Sequence, residues 1–220
     1  MGMKHPEERW LSSVGWTRKD LQRYGIDREE CRQILTGMLA ACRDAWTCGF
    51  LRGFNGNMSM RPSGASVFFV TGTGVAKGHM TVSDISLARA DGTLICGRPL
   101  SSETAMHAAI YRRRSDVSCI LHVHPAALLA LSLRVPREQM LALSLFEAQV
   151  WRDRLGFVGA ITPGGAMLAE HVAACLGDEH IQAVFMARHG LCAAGNDPVQ
   201  VLGICEQMEH LAATQLLSLQ

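Results

Sequence analysis

Short apolar runs alternate with segments of helical period along most of this chain, and that alternation restricts the fold more than any other feature. Val117 to His124 is apolar and β-rich, with the length of a buried strand rather than of a helix. Val67–Val70, Thr93–Cys96, Gly156–Ile161, Ile181–Ala187 and Leu191–Ala194 read as further short strands. Between them lie helices. Ile34, Leu35, Met38, Leu39, Cys42, Ala45 and Trp46 recur at helical spacing, after an Asp27 cap with Glu30 reaching back and before a stop at Gly49. Ser101-Ser102-Glu103 opens a helix to about Arg113, with serine as the cap. Pro125 sets up another to about Leu133, and Pro163–Leu176 reads as helix. Asp197-Pro198 caps a last helix with Val201, Leu202, Cys205, Met208 and Leu211 on one face. Residues 136–156 are expected to be partly helical. Residues 1–26 read as an irregular, polar extension anchored by Trp10, Leu11 and Trp16, ahead of one α/β domain over 27–220. Periodicity alone does not set which strands pair, or in which direction.

The balance of residue types excludes several classes. At 220 residues the chain can sustain a single sizeable core. With 48% apolar and 19% charged residues it lacks the composition of disorder. Lys+Arg is 21 against Asp+Glu 20, so no global field favours nucleic acid or a membrane as partner. Arg112-Arg113-Arg114 reads as a solvated helix end. Met1–Trp10 has no apolar core of a signal peptide, and Pro6 spoils a myristoylation motif at Gly2. His122, His124 and Pro125 interrupt the most apolar stretch, so no membrane span is expected. The eight cysteines form no C-x-x-C pair and read as buried thiols in a reducing cytoplasm.

The chemistry concentrates at a few positions. His122 and His124 are two apart at the end of the best strand, so both imidazoles leave the same face. His189 follows another strand. If the two strands are neighbours, three neutral imidazoles converge and leave an open coordination position, as in a catalytic zinc site; a core or surface role for each is the competing reading. Ser101-Ser102-Glu103 at a helix start aims hydroxyls and N–H groups at one spot, a place for phosphate. The turns Gly56-Asn57 and Thr73-Gly74 offer more donors, although turn and cap chemistry explains each one singly. His5, His79, His107, His171, His180 and His210 receive no role.

Taken together, Gly53–Arg61 (GFNGNMSMR), Thr71-Gly72-Thr73-Gly74, Ser101-Ser102-Glu103, His122-Val123-His124 and Arg188-His189-Gly190 stand in an order that resembles the class II aldolase/adducin family. Met106–Tyr111 and Glu170–Ala173 look like the family's helices, and the likeness covers about residues 27–217. The resemblance implies an α/β/α sandwich around a mostly antiparallel central sheet, assembled as a homotetramer with active sites at subunit boundaries. It implies that His122, His124 and His189 hold Zn2+ or another divalent metal. It makes Glu103 the catalytic acid/base, and Asn57, Thr73, Gly74, Ser101 and Ser102 the phosphate-binding positions. The implied reaction is reversible retro-aldol cleavage of a ketose phosphate to dihydroxyacetone phosphate and an aldehyde. The metal acts as a Lewis acid, and Glu103 exchanges a proton with the C3 carbon.

The chain departs from the pattern in two places. Leu145 stands where the aldolases of this family place a tyrosine over the aldehyde oxygen, with Glu147 the nearest ionisable side chain. Gln220 falls short of the tail that closes over substrate in some members. No lysine or arginine is required for the phosphate, although Lys77 and Arg61 lie near enough in sequence to add charge. Alternatives within the family are a pentulose-phosphate 4-epimerase, a deoxyribulose-phosphate aldolase and a methylthioribulose-phosphate dehydratase. An adducin-like interaction module is the alternative of another class. The retained histidines and Glu103 argue for an enzyme.

Overall fold

The computed structural model describes residues 16–219. The strands are β1 (Asn57–Met60), β2 (Val67–Thr71), β3 (Ile85–Arg89), β4 (Leu94–Cys96), β5 (Cys119–Val123), β6 (Leu155–Val158), β7 (Ala183–Met186) and β8 (Gly190–Gly195). The helices are α1 (Arg18–Arg23), α2 (Arg28–Thr47), α3 (Thr104–Arg113), α4 (Ala126–Arg134), α5 (Phe146–Asp153), α6 (Ala166–Cys175) and α7 (Pro198–Ser218). The eight strands form one sheet in the order β4, β3, β2, β1, β5, β8, β7, β6. Every neighbouring pair is antiparallel except β6 and β7. The exception has a covalent reason: α6 joins β6 to β7, and a parallel pair needs such a crossover.

Strand alternation sends side chains to two separate cores. Val67, Phe69, Cys119 and Leu121 pack with α1, α2, α4 and α7. Phe68, Val70, Ile120, Val184 and Cys192 pack with α3 and α6 on the opposite face. The chain is therefore the expected α/β/α sandwich with a mostly antiparallel sheet.

Several local expectations change. β1 and β3 lie outside the strands expected from the sequence. Asn57-Met58-Ser59-Met60 has no β-branched residue, yet all four positions are buried because β1 pairs with β2 and β5 at the sheet's centre. Residues 16–26 are not irregular. Thr17 and Asp20 form a capping box for α1, and Trp16, Leu21 and Ile26 join the core. The expectations for Trp10, Leu11 and the rest of residues 1–15 lie outside the described residues. Asp27 caps α2 as expected, accepting the Glu29 and Glu30 N–H groups at 2.9 Å each. The Glu30 carboxylate does not reach back to it. It accepts the Ser63 N–H at 2.8 Å.

The helix at 101–113 begins at Thr104, with Ser101 and Ser102 in the turn before it. Arg112 and Arg113 both pair with Glu170, as exposed side chains do. Arg114 differs from the expected solvated end: it is buried and donates to Asp116 and to the Leu176 carbonyl. All eight cysteines are free, but Cys48 is exposed and Cys96 and Cys175 are half-buried. Among the described residues no helix is long and apolar enough to cross a membrane.

Candidate metal and substrate site

His122 is the penultimate residue of β5 and His124 the first beyond it, while β8 lies alongside with Val123 opposite Leu191. The turn Arg188-His189-Gly190 between β7 and β8 therefore reaches the end of β5. Gly190 makes the approach possible. A Cβ there would sit 2.4 Å from the Val123 carbonyl oxygen and 3.1 Å from the His122 and His124 rings. Arg188 takes a left-handed φ of 62° to turn His189 into the site. Ligand atoms of His122, His124 and His189 all lie within 4.8 Å of one another.

The hydrogen bonds define what these imidazoles can do. Nδ1 of His122 donates to the Leu191 carbonyl at 3.0 Å, which leaves Nε2 as a lone-pair donor. That nitrogen is 3.1 Å from His124 Nε2 and 3.0 Å from Glu103 Oε2. Glu103 Oε1 is 3.1 Å from His189 Nε2 but makes no hydrogen bond, and His189 Nδ1 is likewise buried without one. Burial and then the neighbouring His122 imidazole push His124 down to about 4. Burial by itself would raise the Glu103 carboxyl. The facing His122 and His189 imidazoles outweigh it and hold the group well below the usual carboxylate range. Three crowded imidazoles, a carboxylate across them and orphaned buried polar atoms are a donor set that a divalent cation satisfies.

Glu103 is placed by the Ser101-Ser102 turn, where Ser101 Oγ accepts the Glu103 N–H at 3.4 Å. Asn57 Nδ2 donates to Glu103 Oε2 at 3.1 Å and to Ser101 Oγ at 3.2 Å. A cleft of about 190 Å³ opens over these groups, and Asn57, Thr73, Gly74, Ser101, Ser102, Glu103, His124 and His189 all line it. His122 lies beneath, fully buried. The nine positions singled out in the sequence thus come together, Thr73, Gly74 and Ser102 exposed at the mouth and Asn57 and Glu103 buried at the floor. A larger cleft of about 470 Å³ lies beside Pro136 and Phe157, with Arg137 and Arg188 as its only charged lining residues. It gathers no pair of proton-transfer groups.

Leu145 and Glu147 are exposed at the start of α5 and do not line the cleft of their own chain. Arg61 is turned away as well: its guanidinium donates to the carbonyls of Tyr111, Arg114, Ser115 and Val117. One residue without an assigned role proves central. His107 is fully buried on α3, with Nε2 against Asn57 Oδ1 and Nδ1 2.6 Å from Ser59 Oγ. Ser59 in turn meets the Tyr111 hydroxyl at 2.8 Å. Tyr111 and Ser59 can pass their hydrogens toward Nδ1, so His107 donates from Nε2 and the Asn57 amide must point its NH2 at Glu103. Burial and then His122 push His107 down to about 3, which keeps it neutral for this task. The sequence signal was its place four residues after Glu103, one helical turn from the carboxylate.

An α/β/α sandwich with a trihistidine cluster and a clasped carboxylate at one sheet end defines a class of metal-capable α/β proteins. Its backbone superposes on the L-fuculose-1-phosphate aldolase of Thermus thermophilus with a TM-score of 0.71 at 23% identity, covering 85% of this chain and 95% of that one. Residues 36–216 match the family described as Class II Aldolase and Adducin N-terminal domain, and the chain belongs to it. It is 28% identical over 178 residues to an L-fuculose phosphate aldolase of Methanococcus maripaludis, covering 81% of this chain and 93% of that protein. It is also 31% identical over 192 residues to a methylthioribulose-1-phosphate dehydratase of Yersinia pseudotuberculosis, covering 83% and 86%.

Proposed function

We propose that this protein is a zinc-dependent class II aldolase that reversibly cleaves a ketose phosphate, of the fuculose-1-phosphate kind, to dihydroxyacetone phosphate and an aldehyde. The observation that carries this reading is the Glu103 carboxylate, clasped by two of three converging imidazoles beside a cleft lined with hydrogen-bond donors. His122, His124 and His189 would hold a divalent cation, which would supply Lewis-acid stabilisation to substrate oxygens that gain negative charge. Asn57, Thr73, Gly74, Ser101 and Ser102 bind the phosphoryl end, which orients the reacting carbons. Cleavage breaks the C3–C4 bond: the C4 hydroxyl gives its proton to solvent as the aldehyde forms, and the bond's electron pair moves toward the C2 carbonyl. Glu103, having taken up a proton from solvent, delivers it to C3, and as the carboxylate removes it again in the condensation direction.

A second reading is dehydration of a ketose 1-phosphate, favoured by the 31% identity to the Yersinia dehydratase. The two part on products. Aldol cleavage releases dihydroxyacetone phosphate and an aldehyde, whereas dehydration loses water and keeps the carbon skeleton. Screening zinc-loaded protein against ketose 1-phosphates, ketose 5-phosphates and methylthioribulose 1-phosphate, with both products followed, tests the proposal. No dihydroxyacetone phosphate from any ketose phosphate would end it.

The proposed assembly is a homotetramer with sites at subunit boundaries. Supporting it, Phe146 is 100% and Val150 47% exposed one turn apart on α5, and Leu133 is 79% exposed. Light scattering of the purified protein reads the mass directly.

A further inference from the structure

Lys77 lies in the 3-10 turn Lys77–His79, three residues beyond Gly74. Its side chain is only 2% exposed, yet it lines the cleft that holds Thr73, Gly74 and Ser101. Nζ donates to the Phe54 carbonyl at 2.9 Å. Among the described residues no carboxylate pairs with it; Glu103, the anion of the cleft, is engaged by His122, His189 and Asn57. Burial pulls the ammonium below its ordinary range, with no carboxylate to offset it. A buried ammonium without a counter-ion is costly, and chains rarely keep one unless an anion arrives to pair with it.

The turn that carries Lys77 is locked in place. A Cβ on Gly78 would fall 2.3 Å from the Trp46 ring, so only glycine lets the turn lie against α2. The Trp46 and His79 rings stand 5.4 Å apart on the same contact. The chain has only three lysines, Lys4, Lys19 and Lys77, against an arginine-rich remainder, and one of the three is spent here. An ammonium is a compact point charge with three donors, suited to a phosphoryl group approached from one side.

We propose that Lys77 is the counter-charge for the dianionic phosphoryl end of the substrate, completing a site whose other members are neutral hydroxyl, amide and backbone donors. The inference rests on the ketose-phosphate reading above and adds the charged residue to it. It makes the lysine a source of instability that ligand relieves, so binding and stability respond to substitution in opposite directions.

The test is titration of zinc-loaded wild type, Lys77→Met and Lys77→Arg with inorganic phosphate and with dihydroxyacetone phosphate, together with thermal melts and zinc content. The expected result for Lys77→Met is a Kd weaker by about 10- to 150-fold for both ligands, the factor that one charge-assisted hydrogen bond carries. Its zinc content is unchanged and its ligand-free Tm is equal to or above wild type. Lys77→Arg recovers part of the affinity. A purely structural lysine gives the reverse, a lower Tm with an unchanged Kd, and overturns the proposal while ketose-phosphate cleavage by the wild type still supports the aldolase reading. Wild type that binds neither ligand overturns both. Should Lys77→Met fail to fold, the Kd of Lys77→Arg and the lysine side-chain 15N resonances of the wild type decide. A Lys77 signal unmoved by phosphate rejects the idea.

Discussion

Asn57 and His122 face each other across the β1–β5 ladder, and this single pairing joins the two halves of the site. One strand contributes the amide that holds Glu103, the other an imidazole that contacts the same carboxylate oxygen. The register is held on both sides, by Ser59 opposite Ile120 and Met60 opposite Cys119, each facing a different core.

Replacing His122, His124 or His189 by Ala should remove both the bound metal and turnover. Each imidazole is one of three converging donors, and two do not make a closed set. Elemental analysis of the purified variants reads this directly. A variant that keeps one equivalent of metal per chain would remove its histidine from the ligand set.

Glu103→Gln should keep the fold and the metal and lose proton exchange on dihydroxyacetone phosphate by roughly 10²–10⁴-fold, the scale of general acid–base catalysis. The amide preserves the volume between His122 and His189 but accepts no proton. Solvent deuterium uptake at C3 is the measurement, and exchange at the wild-type rate would point to another base.

Losing both hydroxyls in the Ser101→Ala/Ser102→Ala variant should raise KM for the phosphorylated sugar by one to several orders of magnitude, given charge-assisted hydrogen bonds of about 1.5–3 kcal/mol each. Weak activity on an unphosphorylated ketose should change little. The two serines stand before α3 rather than inside it, so the helix itself survives their loss. Equal damage to both substrates would make them supports of the Glu103 turn instead.

His107→Phe should fill the ring's volume yet leave the buried Asn57 Oδ1 without its partner, at about 1–3 kcal/mol, while Ser59 Oγ keeps the Tyr111 hydroxyl at 2.8 Å. For a chain of this length Tm falls by about 2–4 °C per kcal/mol. KM should rise more than kcat falls, because the Asn57 amide is no longer held with its NH2 toward Glu103. The pH dependence separates this from simple misfolding. Burial takes His107 from 6.5 to about 3 in the folded state, so the unfolded chain binds the extra proton. Stability conferred at neutral pH is lost as pH drops below about 6.5, by up to about 1.4 kcal/mol per unit, until about pH 3. Metal-free His107→Phe should show a shallower acid slope than metal-free wild type in denaturant titrations; parallel slopes would place the charge change elsewhere.

The sequence by itself determined the fold class and the chemical cast. Strand alternation places His122 and His124 on one face whatever lies next to them, because residues two apart on a strand always share a face. The same local rules place the Asp27 and Asp197 caps, since each acts within one helical turn. What the tertiary structure decided was everything that depends on pairing across the sheet. β1 carries no strand signal in Asn57-Met58-Ser59-Met60, and only its two neighbours make it a strand. His107 looked like any helical histidine until β1 brought Asn57 and Ser59 against it. Lys77 and Arg61 were equally near the turns in sequence; packing buried Lys77 in the cleft and sent Arg61 to the end of α3. Local periodicity reports which face a residue occupies within its own element. Which element lies opposite is set by long-range packing, where burial of two cores and pairing of every strand are satisfied together.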